Sequence, residues 1–83
     1  MAQITKLFLN NLEFSCLANY SIRIDQTVVV EPVKPLPETT YQKMLQSVYF
    51  TRVALKTMED TMIECSGSYI LKKVYGVLVF TKN

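Results

Sequence analysis

From Leu12 to Ile24 the even positions read Leu, Phe, Cys, Ala, Tyr, Ile and Ile, while the odd positions are polar except for Leu17. Strict alternation is the period of a β-strand, whose side chains leave the backbone on opposite faces; a helix would place apolar residues three and four apart. The pattern therefore predicts a strand over 12–24 with one dry face. Upstream, Gln3 to Leu9 is a second β-like run, and Asn10-Asn11 between them suits a two-residue hairpin turn because asparagine tolerates a positive φ. That turn sets a register in which Leu9 faces Leu12, Leu7 faces Phe14 and Thr5 faces Cys16. The reverse face then carries Phe8 opposite Glu13, Lys6 opposite Ser15 and Ile4 opposite Leu17, a polar surface with an apolar island at one end.

Thr27 to Val30 is β-branched and returns as a third strand, which Pro32 is expected to end. Val28 and Val30 share one face and Val29 takes the other, so this strand is apolar on both sides. Residues 31–37 hold three prolines and read as an extended crossover, since proline cannot donate a ladder bond. A helix is expected to start near residue 38, with Tyr41, Met44, Leu45 and Val48 at helical spacing. The Val, Tyr, Phe and Thr content of 48–57 favours a strand over a longer helix, and residues 58–61 then turn into the next strand, Met62 to Cys65. After Ser66-Gly67-Ser68 come two further strands, Tyr69 to Val74 and Val77 to Lys82. They pair Leu71 with Phe80 and Val74 with Val77 if Tyr75-Gly76 forms a tight turn, the alternative being a bulge at Gly76 in one long strand. The fold expected is α+β: an antiparallel sheet that begins as a β-meander and packs against one helix.

Eighty-three residues, 49% of them hydrophobic and 19% charged, make a single small domain spanning 1–83. A chain this short buries only about 60 to 65% of its unfolded surface, so some apolar surface is expected to remain for a second copy or another protein. The net charge of +2 is far from the strongly basic balance that would by itself point to nucleic acid, and the high hydrophobic and low charged fractions exclude a disordered charged tail. No apolar run reaches the roughly 18 to 20 residues of a membrane span, and the first ten residues do not read as an export signal. A cytoplasmic location is the expectation, with no membrane partner, and Cys16 and Cys65 are expected as two buried thiols.

Candidate chemistry is sparse. There is no histidine, so the commonest general base and metal ligand is missing. Only Glu59 and Asp60 are adjacent carboxylates, and neighbours in a turn are not a positioned acid and base. Two glycines, neither in a strand-to-helix loop, give no phosphate cradle. The sequence therefore assigns no catalytic residue, no metal ligand and no cofactor. It reads as a non-enzymatic protein-binding module, a small accessory or inhibitor protein that occupies a partner's surface and self-associates as a homodimer. That profile is shared by small virus- or phage-encoded accessory proteins. Ile4, Leu17, Val28 and Val30 are the expected protein interface, or else an exposed strand edge extends a partner's sheet. The alternative is a weak nucleic-acid binder using Tyr69, Lys72, Lys73 and Tyr75, where rings flank two ammonium groups on a strand.

Overall fold

Residues 2–82 are described by a computed structural model in which seven strands and one helix follow one another in the order expected from the pattern. The strands are β1 (Gln3–Leu9), β2 (Leu12–Ile22), β3 (Val28–Pro32), β4 (Val53–Thr57), β5 (Met62–Cys65), β6 (Tyr69–Val74) and β7 (Val77–Lys82), with α1 (Glu38–Leu45) between β3 and β4. All pairings are antiparallel, and the sheet order is β5-β4-β1-β2-β3-β7-β6. The fold is thus α+β, an antiparallel sheet with a meander at its start packed with one helix.

Parity fixes most of the core. Leu7 and Leu9 of β1, Cys16 and Ala18 of β2, and Leu78 and Phe80 of β7 all face inward, where α1 adds Tyr41 and Met44. The β1–β2 register holds as expected from Leu9↔Leu12 to Lys6↔Ser15 and then shifts. Between Ile4 and Lys6, β1 advances two residues while β2 advances three and β4 only one. This bulge turns Thr5 and Lys6 outward together and returns Ile4 to the core, opposite Ala18 instead of Leu17. The expected Thr5–Cys16 and Ile4–Leu17 pairs are therefore not made. The dry face of β2 is also shorter than expected: Leu12 and Ile22 are half exposed, and Ile24 lies beyond the strand in water.

Three turns show why these residues end their strands. Asn10 adopts φ +54°, and Tyr75 (φ +50°) with Gly76 (φ +80°) makes the two-residue turn with both positive φ values that matches strand twist. Between β4 and β5, Asp60 takes φ +68° at the end of a three-residue loop, with the Asp60 N–H donating to Thr57 C=O at 3.0 Å. Asn10 does more than turn the chain. Its Oδ1 accepts from the Thr51 N–H at 2.8 Å and its N–H donates to Arg52 C=O at 2.9 Å, so the first hairpin tip holds the start of β4.

Helix α1 ends at Leu45, and β4 begins only at Val53, which leaves Val48 and Tyr49 on an exposed connection. Glu38 in its first turn and Lys43 in its last complement the helix dipole. The outermost strands β5 and β6 are consecutive in sequence and separated by only residues 66–68. Phe50 and Tyr69 exchange both backbone bonds at 2.9 Å, and Phe50 meets Phe80 edge-on with ring centroids 6.0 Å apart. The segment leading into β4 is therefore tied to the start of β6, which brings the two sides of the sheet together at one corner of the core. None of the described helical residues forms a segment long and apolar enough to cross a membrane.

Candidate functional site

The residues singled out in the sequence separate onto different surfaces. Ile4, Val28 and Val30 have no exposed area and belong to the core, because the β1 bulge and the inward parity of β3 direct them there. They cannot touch a partner in the folded chain. Leu17 remains outside, 47% exposed, beside Val33, whose N–H donates to Leu17 C=O at 3.0 Å. The expected four-residue interface thus reduces to Leu17 with a neighbour that the sequence did not flag.

The basic-aromatic strand is dispersed in the same way. Tyr69 is 1% exposed and its hydroxyl donates to Gln26 C=O at 3.4 Å, so its ring offers no stacking face. Lys72 and Lys73 leave β6 on opposite faces. Lys73 Nζ lies 4.1 Å from the Tyr41 ring centroid and 3.6 Å from the Glu38 carboxylate. Tyr75 alone is free, at the hairpin tip and wholly exposed (102%).

A groove forms around that tip. The Tyr41 hydroxyl donates to Gly76 C=O at 3.0 Å, which ties α1 to the β6–β7 turn. The proline segment after β3 crosses beside them. Together they frame a cavity of about 390 Å³ whose walls include Asn19, Glu31, Pro32, Tyr41, Tyr75 and Val77. A second depression of about 290 Å³ shares Asn19, Glu31 and Val77 and continues across the outer face to Ser21 and Val29. Asn19 is held by the Gln3 amide, which donates to its Oδ1 at 3.1 Å. Glu31 stands where the two depressions meet. Glu13, Glu38, Asp60 and Glu64 each sit in an ion pair, with Lys6, Lys73, Lys56 and Arg52 respectively; among the described residues Glu31, like Asp25 and Glu59, has no such partner.

A different feature lies at the β5 edge. The Thr57 N–H donates to Thr61 C=O at 2.8 Å, so by alternation Ile63 and Cys65 bond to β4 while Met62 and Glu64 turn their N–H and C=O groups away. A depression of about 180 Å³ beside this edge is walled by Ile22, Gln26, Ile63, Cys65 and Tyr69. Both cysteines are free thiols; burial pushes the Cys16 thiol up, and burial with the neighbouring Glu64 carboxylate pushes the Cys65 thiol up. Raised thiols hold little thiolate near neutral pH and are not set up as nucleophiles. Among the described residues no cluster of three or more His, Cys, Asp or Glu side chains is placed to hold a metal ion.

Sequence reasoning missed Asn19, Glu31 and Val77, whose proximity depends on the β2-β3-β7 strand order. It did contain one signal: a tyrosine at the first position of a two-residue turn, where asparagine or glycine is the usual solution. Comparison with protein-family models, curated proteins and solved structures finds no match for this chain.

Proposed function

We propose that this chain is a non-enzymatic protein-binding module that occupies a partner's surface through the groove bounded by Tyr75 and Glu31. The observation that carries this reading is Tyr75 itself. An L-residue without a short polar side chain is unfavourable in the left-handed region, and this one places its whole ring in water, so the fold gains nothing from it. A strained residue beside a cavity points to a use outside the fold. Tyrosine is a frequent binding anchor because it brings a large rigid ring with few rotatable bonds, and burying it against a partner removes on the order of 150 Å² from water.

The test uses affinity capture from cells that express the chain, comparing wild type with Tyr75→Asn. The substitution suits the turn, so the fold is retained while the ring is lost. A partner recovered with the wild type and lost with the variant supports the reading; equal recovery by both refutes it.

A homodimer is a second reading, favoured by the β5 edge. Its outward backbone groups at Met62 and Glu64 can pair with a second copy so that Met62 faces Glu64 of that copy, which keeps the two Glu64 carboxylates from facing each other. Met62→Pro removes one outward N–H and leaves the β4 ladder intact. Sedimentation equilibrium at tens of micromolar is expected to show a dimer for wild type and a monomer for the variant; a monomeric wild type ends this reading.

A further inference from the structure

Resting on the groove reading above, we infer that its occupant is an extended segment of a partner protein carrying an arginine, with the guanidinium at Glu31 and the flanking chain lying across Val77 toward Tyr75. The shape comes first. The two depressions share Asn19, Glu31 and Val77, so they adjoin over β2, β3 and β7 and can serve as neighbouring subsites for one occupant. Adjoining subsites with a shared middle suit a chain that places successive side chains at intervals, as an extended peptide does. Pro32 and Tyr41 stand in one wall, and Pro32 has no N–H to leave unsatisfied when a partner's backbone passes over it.

Charge then selects the side chain. The carboxylate at the junction is the one charged side chain walling either depression, and among the described residues it has no cation of its own, a state it shares with Asp25 and Glu59 elsewhere on the surface. An anionic occupant such as a nucleic-acid phosphate would be repelled there, and a purely apolar one would bury Glu31 without compensation. Arginine fits better than lysine because its planar fork can meet a carboxylate with two donors and its face can lie on an aromatic ring, and Tyr75 offers a ring with both faces free. A metal ion has only one carboxylate at this point, too few hard ligands for calcium or magnesium.

The probe is an array of immobilised seven-residue peptide pools, randomised except at the centre, which is fixed as Arg, citrulline, Ala or Glu, and developed with the labelled full chain. Citrulline has the shape of arginine without its charge. The Arg pools are expected to retain at least about tenfold more chain than the citrulline or Glu pools, with the difference shrinking as salt is raised. Glu31→Gln, at an exposed position, is expected to fold normally and to erase the Arg preference. Equal retention on Arg, citrulline and Glu pools overturns the inference, as does a Glu31→Gln chain that keeps the preference. Those failures leave the groove reading standing if Tyr75→Asn still loses its cellular partner. If Tyr75→Asn keeps that partner, the groove reading fails independently of the array.

Discussion

Replacing Tyr75 by asparagine is expected to make the protein more stable, although it deletes an aromatic ring. Tyr75 has φ +50° in a turn that requires positive φ at both central positions. The left-handed region disfavours an ordinary L-residue by about 1–2 kcal/mol, and asparagine escapes part of this through local bonding of its short side chain. The opposing loss is small because the ring is wholly exposed and buries no area in the folded chain. The net expectation is a gain of about 0.5–1 kcal/mol, which for a domain of this length raises Tm by about 3–6 °C. Differential scanning calorimetry measures the shift, and urea titration is expected to move the midpoint without changing the slope. A variant that melts below wild type would show that the ring contributes packing or that the turn is not held in this geometry. Tyr75 would then have a use within the fold and would no longer mark a binding anchor.

Asn10→Ala removes both the left-handed preference and the bonds to Thr51, and is expected to destabilise by about 2 kcal/mol, against about 1 kcal/mol for Asn10→Gly, in urea unfolding. Phe50→Ala deletes a buried ring at the corner where the sheet is tied and is expected to lose about 3–5 kcal/mol, a large part of the roughly 4–12 kcal/mol available to a domain of this size, as read by calorimetry. Acid sensitivity is expected from two carboxylates: bonding from Thr27 holds Asp25 below its ordinary value, and bonding from Arg52 does the same for Glu64. Because these folded values are depressed, their contribution is complete above the unfolded carboxylate range near about pH 4 and is lost as pH falls through the folded values. Tm followed downward from about pH 6 is expected to decline less steeply in Asp25→Asn/Glu64→Gln than in wild type.

Strand positions were legible wherever residue parity and turn chemistry agreed. The β1–β2 tip at Asn10-Asn11 and the β6–β7 tip at Tyr75-Gly76 were both readable, including the Leu71↔Phe80 pairing, because a two-residue turn leaves little freedom in register. The β1 bulge was written more faintly: Ile4 and Leu7 are three apart, a spacing that strict alternation cannot place on one face, yet the clean pattern of β2 masked it. That single irregularity moved Ile4 from the expected contact patch into the core. Val28 and Val30 followed a different logic, since a strand apolar on both sides does not say which side meets a helix and which meets water. The helix is short, as the sequence predicts, but Val48 and Tyr49 are in a connection and not a strand; their β propensity is local, and among the described residues neither has a ladder partner. The groove was out of reach of one-dimensional reading because Glu31, Asn19 and Val77 meet only through strand order.

The adjacency of β3 and β7 joins residues 28–30 to residues 78–80. During synthesis the inward valines of β3 must wait for nearly fifty further residues before their ladder partner leaves the ribosome. Pairings this distant make closure slow, and until it occurs β3 presents an open edge with a greasy side. Between translation of the helix and arrival of the final strand, this polypeptide is thus exposed to stray intermolecular pairing along Val28–Pro32.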